Sequence, residues 1–351
     1  MSKITKTRDP TSSAILDWFE VGMSSSGDFL FPSNYEEIVL IGAGSSIGKS
    51  LACYFISLKK HGFLRCKITI VCRLESQFFY RDFQRYVTVS TLFQPCSETG
   101  RLIFYCASPA DPDSYLKNRA VTLKLNSCKL FDICENLRES DQLVFLSTSG
   151  VYDRELVREA PPPDEDASLS RINFSNVNSI YINAKIIGEY ITVFSARENG
   201  FKALIIRPSI TYTPFIREND PRLHNIALSA FIAGKKLHMK SSGEDSRNFL
   251  FILDFLRALN LLVAVPDRII TANVTNPDDI LVRDFVKQIA SLNKKGGQLE
   301  VIWTMENLIS GTKFGRTTVK NKLLDSFDWR PIWNVESAFQ YISTLYESAN
   351  N

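Results

Sequence analysis

From Glu37 onward the chain alternates short apolar, β-branched runs with longer stretches whose apolar residues recur at helical spacing. EIVLIG, KITIVCR, YVTVSTL, RLIFYCA and QLVFLST read as strands; a helix is expected near 47–60 and another over about 114–138. Such alternation is the pattern of parallel strands joined by crossover helices, so the expected fold class is α/β, a doubly wound parallel sheet. A Pro- and acid-rich loop, REAPPPDEDASLS, leads to a helix around Ile180 to Glu198 and a further buried strand, KALIIRPS at 202–209. Beyond Pro214 the pattern loosens: GKKLHMKSSGEDSRNF, a helix LDFLRALNLLV, a strand IITANV and a helix near SAFQYISTLY. The expected organisation is a polar extension over 1–35, loosely packed or covering something, a sheet domain over 36–214, and a smaller α/β lobe over 215–351 interleaved with it. The crevice between sheet and lobe is the natural ligand site.

Composition narrows this picture. A chain of 351 residues with 44% apolar content can bury a large core. Its 41 basic and 38 acidic residues leave a net charge of +3, with no basic block, so no nucleic-acid partner is expected. The apolar run Leu261 to Val265 is far shorter than a membrane span, and no apolar segment follows the lysines of MSKITKTRDPTSS. The expected location is the cytoplasm, with no membrane partner. Seven cysteines, at 53, 66, 72, 96, 106, 128 and 134, lack CxxC spacing and read as buried reduced thiols. Three histidines leave little material for a metal site, and none is expected.

Candidate chemistry begins at GAGSSIG, where Gly42, Gly44 and Gly48 fall between a strand and a helix. Gly42 suits the tight turn, Gly44 a close backbone approach to a pyrophosphate, and Gly48 close packing of the helix on the sheet. Ser45, Ser46 and Ile47 then lie at a helix N-terminus facing the anion. The competing reading is a tight turn with no ligand. At the end of the second strand an acid selects NAD and a base NADP; here Arg73 follows Cys72, which favours NADP, against the alternative of a solvated arginine.

Tyr181 and Lys185 in SIYINAKIIGEY are four apart on a helix, so their side chains share a face. A phenol ordinarily ionises near pH 10, and a neighbouring ammonium favours its phenolate, which makes the pair a candidate acid/base at neutral pH. Thr148 ends the strand QLVFLS, where a doubly wound sheet places ligand contacts; a turn cap is the plainer reading of its hydroxyl.

Together these segments resemble the extended short-chain dehydrogenase/reductase family, which has a Rossmann sheet and comprises NAD(P)-dependent epimerases, dehydratases and ketoreductases of nucleotide-activated sugars. The likeness runs from about residue 37 to 347. GAGSSIG is similar to the family's glycine loop, with Ser45 where many members have a glycine. YCAS, holding Cys106, Ala107 and Ser108, resembles the segment beside the nicotinamide ribose, and NRAVT its Asn-containing helix. LSTSGVYD implies Thr148 as catalytic hydroxyl, and YINAK implies Tyr181 and Lys185 as the Tyr/Lys pair. IIRPSITYTP implies Pro208 and Ser209 near the nicotinamide. GEDSRNFLFILD implies Arg247 as a cation for the substrate diphosphate, and WRPIWNVESAFQ resembles the closing WxP segment.

Two departures bear on chemistry. Dehydratases of the family carry Asp-Glu after the threonine, and decarboxylases a glutamate two residues after it. Here those places hold Ser149, expected to touch substrate, and Gly150. YVTVSTLFQP also lacks the acid usual near the adenine. The resemblance therefore implies hydride exchange at a sugar carbinol or ketone. The leading expectation is a ketoreductase using NADP. The alternatives are a 4-epimerase with retained NAD and, from another class, a non-catalytic NAD(P)-binding sensor or scaffold. A homodimer through the helix bearing Tyr181 is also implied.

Overall fold

The computed structural model describes residues 10–24, 31, 35–95, 100–153, 157, 161–172, 176, 179–217, 220–239, 241–292, 299–303 and 317–348. Six strands, β1 (Glu37–Ile41), β2 (Lys67–Val71), β3 (Thr88–Ser90), β4 (Arg101–Tyr105), β5 (Gln142–Leu146) and β6 (Lys202–Pro208), pair with a seventh, Ile269–Val274. Starting from the seventh strand the order is β6, β5, β4, β1, β2, β3, and every pairing is parallel. This is the doubly wound Rossmann sheet that the alternation predicts. The order reverses between β1 and β4, and the ends of these two strands diverge there into separate turns.

Both faces are covered, which is why β4 and β5 are buried at every position and read as unbroken apolar runs. Period-two alternation divides the residues: Ile38 and Leu40 join the larger core with the helix α2 (Ser46–Lys60), while Val39 and Ile41 join a smaller one with Leu130, Ile133 and Ala196. The segment beyond residue 214 supplies the helices Leu223–Ala233, Ile252–Val263, Val282–Ala290 and Val335–Ser348, and it also returns to the sheet as its seventh strand.

Two sequence expectations change in detail. The stretch 114–138 is not one helix but three short ones, Pro112–Lys117, Arg119–Asn126 and Cys128–Cys134. At the breaks, Asn118 Nδ2 donates to the Ser114 carbonyl at 2.9 Å and Ser127 Oγ to the Leu123 carbonyl at 2.7 Å; both side chains compete with the helical ladder. Of the cysteines, Cys53, Cys72, Cys106 and Cys134 are buried thiols, but Cys128 is exposed and Cys66 partly so; Cys96 lies outside the described residues. Among the described residues no helix is long and apolar enough to cross a membrane.

The polar leading segment contains a helix, α1 (Ser12–Ser24), laid over α2. Its apolar residues Ile15, Leu16, Trp18, Phe19 and Met23 recur at one-, three- and four-residue steps and are all buried. Trp18 stacks on Tyr341 of Val335–Ser348 with ring centroids 4.7 Å apart, its Nε1 donates to the Tyr341 carbonyl at 2.9 Å, and the Tyr341 hydroxyl donates back to the Trp18 carbonyl at 2.6 Å. Replacing the fully buried Phe19 with alanine is expected to cost about 3–5 kcal/mol. Urea denaturation of the full chain measures it, and a loss below about 1 kcal/mol would mean that α1 is not part of the cooperative core.

Candidate active site

A cavity of about 540 Å³ opens at the C-terminal ends of the central strands and is roofed by residues of the lobe. Its lining unites Ser45, Ser46 and Ile47 of the glycine turn, Cys106 and Ser108 after β4, Thr148 and Ser149 after β5, and Tyr181, Lys185, Pro208, Ser209 and Arg247. Five residues singled out in the sequence, Gly42, Gly44, Gly48, Arg73 and Ala107, do not line it.

Three of those five shape the glycine turn behind the cavity wall. Gly42 has φ +83°, and a Cβ there would sit 2.5 Å from the Ala107 nitrogen, so the turns after β1 and β4 meet with only hydrogen between them. A Cβ on Gly48 would lie 2.7 Å from the Ala43 Cα, so this glycine lets α2 pack against the turn. A Cβ on Gly44 would lie 2.4 Å from Ser76 Oγ, so this glycine lets the turn pack against Ser76. Ser45 caps α2, its Oγ accepting the Gly48 N–H at 3.0 Å. Arg73 projects into solvent, 81% exposed, and pairs with Glu75 at 2.9 Å.

Tyr181 and Lys185 stand one turn apart on the helix Ile180–Asn199 and both reach the cavity. The helix approaches β5 closely because Gly188 has no Cβ to strike the Phe145 ring. Lys185 Nζ lies 4.8 Å over that ring, donates to the Leu146 carbonyl at 2.6 Å, and is 5.9 Å from the Tyr181 ring centroid. Burial lowers its ammonium to about 8, against the pull of Cys106 and Glu189. Burial likewise lifts the Cys106 thiol to about 12.

The expectation that Lys185 draws down the Tyr181 phenol is not met. The ammonium is committed to the Leu146 carbonyl, and Tyr181 stacks on Tyr115 with centroids 5.3 Å apart. Burial raises the phenol to about 12; Arg222 opposes the rise and Tyr115 adds to it. Thr148 Oγ1 accepts the Gly150 N–H at 3.2 Å, so the hydroxyl caps its turn and faces the cavity at once.

The lobe adds a layer of charge of which sequence reading singled out Arg247 but not Arg217, Asp220 or Arg222. Arg217 Nη1 meets Asp111 at 3.4 Å, while Arg222 grips Asp220 through Nε at 2.9 Å and Nη2 at 2.6 Å. Asn225 ties the loop, donating to the Arg217 carbonyl at 2.8 Å and accepting the Arg217 N–H at 2.9 Å. His224 is buried and held neutral, its imidazolium pushed down to about 3 by burial and by Arg222. Arg247 reaches the cavity from the opposite side and pairs with Asp245 at 3.5 Å. The charged run RENDPRLH between apolar segments was the available signal for this layer. Asp220 is the one carboxylate lining the cavity among the described residues.

These residues fit a bound dinucleotide. The Gly42–Ala107 apposition leaves the start of α2 facing the cavity, and Ser209 Oγ is buried in the wall with no hydrogen-bond partner among the described residues.

Burying the Lys185 charge destabilises the fold, with a defined pH dependence. Below about pH 8 the amine is charged both folded and unfolded and the full penalty applies; between 8 and 10.5 it fades as the folded form loses its proton first. Lys185→Met is therefore expected to raise stability at pH 7 by about 2 kcal/mol, net of the lost bond to Leu146, and by little at pH 10.5. Urea titrations at both pH values test this, and an unchanged or lowered stability at pH 7 contradicts it.

The comparisons with known proteins identify the family and the fold. Residues 38–276 match the family model described as the NAD dependent epimerase/dehydratase family. UDP-glucuronic acid decarboxylase 1 of Xenopus tropicalis is 26% identical over 203 residues, 57% of this chain and 47% of that protein. UDP-glucose 4-epimerase of Vibrio cholerae is 21% identical over 286 residues, 76% of this chain and 82% of that one. The chain thus matches about half the length of several curated decarboxylases. Among solved structures, the UDP-glucose 4-epimerase of Thermotoga maritima with UDP-glucose has TM-score 0.68 at 17% identity, covering 90% of this chain and all of that one. RMD of Pseudomonas aeruginosa with NADPH has TM-score 0.61 at 15% identity, covering 89% and 99%, and both share the fold. The matched span runs from the first strand of the sheet through the seventh and includes the glycine turn, Thr148, Tyr181 and Lys185, and the chain accordingly belongs to the NAD dependent epimerase/dehydratase family within the extended short-chain dehydrogenases/reductases.

Proposed function

We propose that the protein is a nucleotide-sugar epimerase that oxidises a sugar carbinol and reduces it again at the same carbon. The observation that carries this reading is a cavity in which Thr148, Tyr181 and Lys185 converge while its sole described carboxylate, Asp220, is engaged by Arg222. Elimination or decarboxylation calls for a free acid beside the sugar, and Ser149 and Gly150 supply none. For that reason the decarboxylase names of several relatives are not carried over.

When bound, the dinucleotide supplies a reversible hydride acceptor and donor. Tyr181 exchanges the proton of the substrate oxygen, and Thr148 Oγ1, a turn cap with a free lone pair, hydrogen-bonds the same oxygen. With the dinucleotide bound, Lys185 would hold its ribose, Ser46 and Ile47 would meet its pyrophosphate, and Cys106, Ser108, Pro208 and Ser209 would flank its nicotinamide end. Arg217, Arg222 and Arg247 bring positive charge to the lobe side, where a nucleoside diphosphate would lie; similar solved epimerases hold UDP-glucose, or UDP-glucuronic acid with NAD.

A ketoreductase is the second reading. It is favoured by the Tyr181 phenol, which at about 12 is fully protonated at neutral pH and ready to donate to a keto oxygen. Arg73, exposed at the end of β2 and paired with Glu75, keeps NADP beside NAD as the dinucleotide of either reading; solved neighbours are described with NADPH and with NAD.

We further propose a homodimer. Tyr190, 72% exposed, and Phe194 stack in parallel on the outer face of Ile180–Asn199, with exposed Val121, Leu123 and Phe131 on the two helices beside it. Their contiguity marks a face for a second copy of this helix.

Three experiments test these readings. Denaturing fresh protein and identifying the released nucleotide by mass is expected to yield NAD. An empty protein that prefers NADPH over NADH supports the ketoreductase, and one that binds neither excludes both. Tyr181→Phe is expected to lower turnover of a UDP-hexose at least about a hundredfold with dinucleotide affinity changed little; normal turnover would remove Tyr181 from its role. In sedimentation velocity, Phe194→Glu is expected to convert dimer to monomer, and a wild type already monomeric at micromolar concentration overturns the dimer.

A further inference from the structure

From the cavity wall at Ser147 and Tyr152 a line of buried polar side chains runs inward, and the chemistry above does not use it. Glu189 Oε1 accepts Ser147 Oγ at 2.5 Å and Arg207 Nε at 3.0 Å, and Oε2 accepts Arg207 Nη2 at 2.7 Å. Arg207 Nη1 donates to the Tyr152 hydroxyl at 2.7 Å, which donates to Asn273 Oδ1 at 2.9 Å. Asn273 Nδ2 continues to the Lys320 carbonyl at 2.7 Å. Ser147, Tyr152, Glu189, Arg207 and Asn273 are all buried.

Three members of the line adjoin candidate reacting or cofactor-facing residues of the cavity. Ser147 precedes Thr148, Arg207 precedes Pro208 and Ser209, and Glu189 lies one helical turn beyond Lys185 and two beyond Tyr181. A single carboxylate therefore joins β5, β6 and the helix at the level where all the candidate reacting groups emerge. A buried ion pair seldom stabilises a fold more than apolar groups of the same volume, so stability alone does not account for it.

We propose that Glu189 is the positioning residue of this site: through Ser147 and Arg207 it sets Thr148, Lys185 and the Pro208–Ser209 segment relative to one another, and it places a carboxylate one helical turn from Lys185. The proposal rests on the reading of Thr148, Tyr181 and Lys185 as the reacting set. Lys185 is faced by the Cys106 thiol from the turn after β4, the Leu146 carbonyl and Phe145 ring from β5, Tyr181 and Glu189 from its own helix, and Arg207 on β6 behind Glu189. With Glu189 neutralised, Lys185 loses a favourable charge and is left near an Arg207 cation that nothing compensates.

The test follows the Lys185 amine directly, in full-length protein labelled with 13C-lysine. Its Cε resonance, assigned through Lys185→Arg, is titrated by NMR. Wild type is expected to titrate near 8 and Glu189→Gln about one unit lower, while Arg207→Gln moves the midpoint up. A merely loosened fold would expose Lys185 and move both variants upward, so a Glu189→Gln midpoint that stays or rises overturns the proposal. Should Glu189→Gln not fold, Ser147→Ala cuts the link to β5 alone. With UDP-hexose its kcat is then expected to drop about tenfold at unchanged KM, and an unchanged kcat overturns the proposal equally. The titration requires no substrate. A protein in which Glu189→Gln lowers and Arg207→Gln raises the midpoint, yet which turns over no nucleotide sugar, refutes the functional reading and leaves the placement of Lys185 by Glu189 standing.

Discussion

Between the turns that leave β1 and β4 there is no room for a side chain. Gly42 presses its Cα against the Ala107 backbone in a conformation that L side chains rarely adopt, and this contact holds the two diverging ends of the sheet at a fixed separation. Everything that lines the cavity is indexed to it. The start of α2 faces inward because the turn after Gly42 is tight, and Cys106 and Ser108 lie opposite because Ala107 supplies the other half of the contact. The reversal of strand order opens the crevice, and the glycine keeps it narrow.

Much of this was legible along the chain because it is local. Strands buried on both faces are unbroken apolar runs, the capped start of α2 is a glycine turn followed by serines, and Tyr181 and Lys185 share a face through helical spacing alone. What escaped depends on partners distant in sequence or on competition within a few residues. The stripe of α1 is six apolar or small residues inside a polar segment, and only the partners it finds on α2 and at Tyr341 give it meaning. Asn118 and Ser127 break a helical pattern through side-chain bonds that no periodicity records. Lys185 faces a Leu146 carbonyl that belongs to the next layer, and Arg73 pairs with Glu75 two residues away.

The charges of the site are arranged by a common principle. Arg207, Arg217, Arg222 and Arg247 each meet a carboxylate, so the cationic groups around the cavity are held in place before any anion arrives. Arg217, Arg222 and Arg247 line the cavity and are partly exposed, whereas the Arg207–Glu189 pair is buried on both sides. Lys185 sits at the boundary between the two sets, buried like the second and aimed at the cavity like the first. Its intermediate environment is what brings an ordinary amine within reach of neutral pH.

The reciprocal bonds between Trp18 and Tyr341 span 323 positions of the chain. A polypeptide is made from one end, so α1 emerges early and its apolar face stays without this partner while the whole sheet and most of the lobe are synthesised. During that interval Trp18 and Phe19 are available to other surfaces, including those of chaperones. Completion of the native state is thus tied to the late arrival of Val335–Ser348, and any ribosome stalled before that helix leaves a sheet domain whose outer layer is unfastened.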